Sequence, residues 1–138
     1  MEREKYIDTV SGKELIRETR YLYGKIHREH YLINGKCHRR DGPAYINYYH
    51  NGQIHFEQYC MNGKEYREDG PAFISYYENN GAISCEEYYI NGKLHRQDGP
   101  AVIRYHYDGK TTYEYYYING EEITDEFQIM VIESLGME

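Results

Sequence analysis

Three segments of this chain are copies of one another: NGKCHRRDGPAYINYYHNGQIHFEQYCM from Asn34, NGKEYREDGPAFISYYENNGAISCEEYYI from Asn62 and NGKLHRQDGPAVIRYHYDGKTTYEYYYI from Asn91. The period is 28 or 29 residues, the length of one supersecondary unit. A unit that small cannot bury its own apolar face and is stable only when stacked on its neighbours. Half a copy, YLYGKIHREHYLI, precedes the first, and a fourth begins at Asn119 and stops. The chain therefore reads as one repeat domain over residues 1–138: an N-terminal cap (1–20), a half repeat (21–33), repeats at 34–61, 62–90 and 91–118, and a C-terminal cap (119–138).

Glycines punctuate the array, and most follow Asn or Asp. Asn-Gly and Asp-Gly favour two-residue type I′ hairpin turns, because both positions need positive φ. The expected fold is all-β, an elongated single-layer antiparallel β-meander. If Asn51-Gly52 is such a turn, Tyr48 faces His55, Ile46 faces Glu57 and Ala44 faces Tyr59. Asp108-Gly109 repeats the set, with Tyr105 opposite Thr112, Ile103 opposite Glu114 and Ala101 opposite Tyr116. The longer second repeat keeps Ile74 opposite Glu86 and Ala72 opposite Tyr88 if its loop is Asn79-Asn80-Gly81. The extra residue is then absorbed in the loop.

Period-2 alternation places the recurring Ala, Ile, Tyr and Glu on one face of the sheet. The other face varies from copy to copy: Tyr45, Asn47 and Tyr49, then Phe73, Ser75 and Tyr77, then Val102, Arg104 and His106. The repeating face is expected to tie unit to unit, and the varying face to meet a partner. Glu78, Glu86 and Glu87 in the acidic second repeat are expected to form an acidic rim to that face.

The DGPA signature begins each return strand, since proline lacks an N–H and suits a strand start. Its glycines Gly42, Gly70 and Gly99 are expected to supply unusual backbone conformation, and Asp41, Asp69 and Asp98 to bond the turn amides. At the C-terminus, TDEFQIMVIESLG carries a cap, acids in its first turn, and Phe127, Met130, Val131 and Leu135 at helical spacing. A short capping helix over the last strand is expected; a final strand over FQIMVI is the competing reading.

The net charge is −7, with −4 in residues 62–90 and −6 in residues 119–138. No segment offers the basic stripe that a direct nucleic-acid interface needs, and the acidic balance works against an anionic membrane. Three cysteines without a CxxC pair fit a reducing, cytoplasmic setting, and neither a leader nor a membrane-length apolar run is evident. Nineteen tyrosines against three phenylalanines and no tryptophan suit a sheet whose faces stay partly wet.

No constellation of catalytic type stands out. His38 and His95 share one repeat position, with Tyr66 between them, and read as aromatic cross-strand partners of Tyr31 and Tyr88. Equivalent positions lie about two strand spacings apart, about 10 Å, too far to share one metal ion. Glu29, Glu57, Glu86 and Glu114 recur in every unit, as acceptors for neighbouring tyrosine hydroxyls or amides would, whereas an active site is usually singular. Arg39, Arg67 and Arg96 read as partners of a nearby acid or carbonyl. The expectation is a protein with no catalytic residue, no metal and no cofactor.

The Asn-Gly turns, the YYxNG strands and the trailing ExYYxNGK resemble divergent relatives of MORN repeats, including the antitoxin-like bacterial variety. The NGKxHRxDGPA form is similar to repeats carried by large DNA viruses and phages. The likeness covers residues 21–123 and departs from the standard pattern in its longer period and its lack of tryptophan. It implies a single-layer sheet that serves as a scaffold or partner-binding surface. The function expected is a non-enzymatic binding module with a protein partner: an antitoxin-like or phage-encoded inhibitor that occupies a host protein, such as an antiviral-defence effector. The alternative is a structural scaffold that organises a homo-oligomer or a membrane-proximal assembly.

Overall fold

Asn34, Asn62, Asn91 and Asn119 all hold φ between 51° and 53°, and the glycine after each is also positive. These are two-residue turns, closed by the pairs Ile33–Lys36, Met61–Lys64, Ile90–Lys93 and Ile118–Glu121. They reverse the chain once per unit. The computed structural model describes residues 1–137. The N-terminal cap and half repeat form β1 (Glu2–Ile7), β2 (Glu14–Leu22) and β3 (Lys25–Ile33). The first unit forms β4 (Lys36–Cys37), β5 (Tyr45–Tyr48), β6 (Ile54–Gln58) and β7 (Cys60–Met61). The second repeats this with β8 (Lys64–Glu65), β9 (Phe73–Tyr76), β10 (Ile83–Glu87) and β11 (Tyr89–Ile90). The third has β12 (Lys93–Leu94), β13 (Val102–Tyr105) and β14 (Thr111–Ile118), followed by β15 (Glu121–Ile123) and α1 (Glu126–Gly136).

The main sheet is an open antiparallel meander in the order β1-β2-β3-β5-β6-β9-β10-β13-β14-β15, with β4 also paired to β3. The short hairpins β7-β8 and β11-β12 peel away from it. They form a second stack: Gly63 N–H donates to the Cys37 carbonyl at 2.8 Å, Gly92 to Glu65 at 2.9 Å and Gly120 to Leu94 at 2.8 Å. Each unit thus touches the next twice, once through a long strand and once through a turn.

The register follows the expected central pairs, Ile46–Glu57, Ile74–Glu86 and Ile103–Glu114. Nearer the turns it differs. Tyr48 faces Ile54 instead of His55, and Tyr105 faces Thr111 instead of Thr112. The loops are longer by one residue than expected: Tyr49 N–H bonds the Gln53 carbonyl, His106 bonds Lys110, and Tyr77 bonds Ala82 around a four-residue loop, Glu78 to Gly81. A bulge in each hairpin then restores the register. Asn51 does not take positive φ. Its side chain instead accepts from the Gln53 amide at 2.9 Å, as Asn80 does from Ala82 at 3.1 Å and Asp108 from Lys110 at 2.9 Å. An Asx turn needs a side-chain oxygen two residues before the donor, and Asp supplies it as well as Asn. The registered pairs stop at Tyr45–Gln58, and Ala44 N–H goes to the Gln58 carbonyl.

The C-terminal helix is present, with the Asp125 carboxylate capping the Gln128 amide at 2.9 Å. Its inward side is not the expected one. Ile132 is buried, whereas Phe127, Met130, Val131 and Leu135 are exposed. Two fixed contacts set that rotation: Tyr116 Oη donates to Glu133 at 2.6 Å, and Gly136 lies so close to the Asp98 carbonyl that a Cβ would sit 2.3 Å from it.

Candidate functional site

At one level of the repeating face, Glu29, Ile46, Glu57, Ile74, Glu86, Ile103 and Glu114 face one another strand by strand. Carboxylate and isoleucine alternate across the sheet. Beside that row, Tyr48 Oη donates to Glu29 at 2.7 Å, Tyr76 to Glu57 at 2.6 Å, and Tyr105 to Glu86. Each tyrosine reaches the carboxylate of the unit before it. Burial, and then the acceptor carboxylate, raises all three hydroxyls above the usual tyrosine range. Glu29, Glu57 and Glu86 are thus hydrogen-bond acceptors that join units, as their recurrence implied, whereas Glu114, beyond which no further unit follows in the sheet, is exposed.

The Arg-x-Asp-Gly-Pro signature closes on itself in every unit. The guanidinium carbons of Arg39, Arg67 and Arg96 lie 4.0 Å from the ring centres of Tyr31, Tyr59 and Tyr88. Arg67 Nε donates to Asp69 at 3.2 Å and Nη1 to the Pro71 carbonyl at 3.1 Å; Arg39 and Arg96 do the same to Asp41 and Pro43, and to Asp98 and Pro100. The aspartates therefore bond the arginine two residues earlier, not the turn amides. Gly42, Gly70 and Gly99 do not hold positive φ. They are glycine because a Cβ would stand 2.8 to 3.0 Å from the guanidinium carbon that packs on them. Between successive signatures lie two open grooves of about 610 and 640 Å³, one lined by Arg39, Asp41, Tyr59 and Arg67, the other by Arg67, Asp69, Tyr88 and Arg96. Their arginines are already paired, so these grooves carry little uncompensated charge.

On the varying face, the structure places Tyr45, Gln58, Phe73, Glu87, Val102 and Tyr115 in one cross-strand row and Asn47, Phe56, Ser75, Cys85, Arg104 and Tyr113 in the next. Tyr45 stacks on Phe56 at 5.6 Å, and Phe56 meets Phe73 at 5.5 Å. Val102 is buried, Arg104 is exposed, and Tyr45, Asn47, Phe73, Ser75 and His106 are half-buried. Tyr49 and Tyr77 spend their hydroxyls on the carbonyls of Tyr76 and Tyr105 in the following unit, at 2.7 and 2.6 Å. They hold the array together. Of the acidic trio, Glu86 sits on the repeating face beneath Tyr105, Glu87 on the varying face with Tyr89, and Glu78 in an exposed loop. Neighbours along a strand point to opposite faces, so the three do not make one patch.

The bulges add what the sequence reading did not see. His55, Ser84 and Thr112 occupy the bulge position, where His55 Nδ1 contacts Asn47 Oδ1 at 3.3 Å, Ser84 Oγ contacts Ser75 at 2.7 Å, and Thr112 donates to the Arg104 carbonyl at 3.1 Å. His55 and Ser84 thereby join the varying face, and His55 stacks on Tyr49 at 4.3 Å. His38 and His95 do pair with Tyr31 and Tyr88 across their hairpins, each histidine amide donating to the tyrosine carbonyl, at 3.0 and 2.9 Å, but their rings reach the next unit. Each uses Nδ1 to accept from the Asn amide of the next turn, Asn62 at 3.0 Å and Asn119 at 2.9 Å, which is a unit-to-unit bond. Among the described residues, no three His, Cys, Asp or Glu side chains gather as metal ligands, the cysteines are free, and no helix is long and apolar enough to cross a membrane. No family model, no curated protein and no solved structure matches this chain.

Proposed function

We propose that this protein is a non-enzymatic binding module that acts by occupying the surface of a protein partner, in the manner of an antitoxin-like or phage-encoded inhibitor. One observation carries the reading: the groups that recur are consumed by unit-to-unit bonds, while Tyr, Phe and Val, then Asn, Ser and Arg, stand at equivalent places on the opposite face. A face that served only the array would repeat like the array. Tyr, Phe and Arg are also the side chains that anchor protein interfaces. Affinity capture from the cells that make the protein tests this, with the wild type beside a variant carrying Asn47→Arg, Ser75→Arg and Arg104→Glu. A partner retained by the first and lost by the second supports the proposal; identical captures contradict it.

A second reading, a scaffold that pairs with its own copies, rests on α1. Phe127, Met130 and Val131 are 68%, 57% and 44% exposed along one side of that helix. Light scattering before and after Phe127→Ser with Val131→Ser separates the two: a dimer that dissociates favours the scaffold, and an unchanged monomer removes it.

A further inference from the structure

The N-terminal turn folds over the first Asn-Gly hairpin and leaves between them a cleft of about 170 Å³. His38, in its wall, is only 2% exposed. Its Nδ1 accepts the Asn62 amide at 3.0 Å, so the neutral ring carries its proton on Nε2. That Nε2 is buried and has no hydrogen-bond partner. A buried donor without an acceptor is costly to leave unmatched. Lys13, Lys36 and Arg40 line the same cleft. Arg40 is matched by Asp8 at 2.9 Å, and Asp8 is further bound by Ser11. Lys13 and Lys36 have no ion-pair partner among the described residues. The cleft thus offers two unmatched positive charges beside one unmatched donor.

We propose that this cleft binds a phosphate group, as inorganic phosphate or a phosphomonoester, with Lys13 and Lys36 balancing its two charges and His38 Nε2–H donating to one oxygen. Several waters, each of about 30 Å³, would fill the same space, so there is room for a tetrahedral oxyanion. The site belongs to the N-terminal end alone. In the second unit Tyr66 replaces the histidine, and in the third His95 keeps the Asn119 bond but is more open to solvent, with no N-terminal turn above it. Asp8, Lys13, Lys36 and Arg40 are the charged groups around His38. Desolvation, and then Arg40, lowers its pKa. A bound anion favours the imidazolium and moves that pKa upward.

The test is a histidine-ring NMR titration of the full chain with sodium phosphate at constant ionic strength, sodium chloride serving as the control. The expected result is a saturable shift of the His38 Nε2–H signal and a rise in its pKa. Lys13→Ala with Lys36→Ala, both exposed positions, should weaken the apparent affinity by about tenfold or more while the remaining amide spectrum stays folded. Glycerol phosphate and vesicles of phosphatidic acid against phosphatidylcholine distinguish a soluble monoester from a lipid headgroup, and binding of either supports the site. A His38 signal that ignores all three phosphates, that responds equally to chloride, or that titrates alike in the double variant overturns the proposal.

Discussion

Tyr76 Oη donates a 2.6 Å hydrogen bond to the Glu57 carboxylate across the boundary between the first and second units. The contact recurs as Tyr48 with Glu29 and Tyr105 with Glu86. It explains how a row that alternates glutamate with isoleucine is tolerated: the carboxylate is satisfied by the next unit. Replacing Glu57 by Leu leaves the Tyr76 hydroxyl without its acceptor and should cost about 1–3 kcal/mol, whereas Glu57→Gln keeps an acceptor oxygen and should cost less. Urea denaturation of both variants checks the order; equal losses would mean that the bond contributes nothing.

The same pairs set an alkaline limit. Burial, and then an acceptor carboxylate, raises Tyr48, Tyr76, Tyr105 and Tyr116 above the ordinary tyrosine value of 10.0. Below that value both folded and unfolded chains hold these protons, and the full contribution is present. As pH rises past about 10 the unfolded chain loses its protons first, so stability falls toward the raised folded values. The urea midpoint should be flat from about pH 7 to 9 and drop above about 10, and Tyr76→Phe should lessen the drop. A midpoint constant to about pH 11 would contradict the assignment.

Arg67 is held between the Tyr59 ring and the Gly70 backbone while bonding Asp69 and Pro71. Truncation to alanine should destabilise by about 2 kcal/mol. Lysine should recover less than half of that, because it can neither stack as a plane nor reach two acceptors in a fork. Thermal melts of the two variants decide; full rescue by lysine would reduce the contact to simple charge.

Tyr23 holds φ 52° as the first residue of a two-residue turn with Gly24, a role that asparagine fills in the turns at Asn34, Asn62, Asn91 and Asn119, and its side chain is 91% exposed. Asparagine tolerates that conformation, so Tyr23→Asn should stabilise the protein by about 0.5 to 1 kcal/mol. A lowered melting temperature would show that the exposed ring's edge contact with His50, at 6.3 Å, matters more than the backbone.

Much of the fold was legible because the repeat gave three readings of one problem. A register had to suit both unit lengths, and that fixed Ile46–Glu57, Ile74–Glu86 and Ile103–Glu114. The bulges at His55, Ser84 and Thr112 were not legible, since a three-residue loop plus one bulge shifts the central pairs by the same amount as a two-residue turn. Only the pairs next to the loop differ. The signature glycines looked like conformational devices, but their reason is the guanidinium laid on them, a contact across sequence that spacing does not reveal. The helix was foreseen from its cap and acids; its inward side was not, because Glu133 and Gly136 set it through Tyr116 and Asp98. The recurrence of Glu57 pointed to its structural role, whereas the tie between Tyr49 and the next unit was hidden by its place on the varying face.

The division of labour between the faces is tested most directly by measuring partner affinity and folding stability on the same proteins. With a captured partner in hand, its dissociation constant is determined for the wild type, for Asn47→Arg with Ser75→Arg and Arg104→Glu, and for Glu57→Gln, alongside urea midpoints. The account predicts that the varying-face variant binds at least about tenfold more weakly, about 1.4 kcal/mol, while staying folded under the binding conditions despite the loss of the Asn47–His55 and Ser75–Ser84 contacts, and that Glu57→Gln binds like the wild type. A varying-face variant that keeps full affinity, or loses it only in step with its stability, would contradict the account.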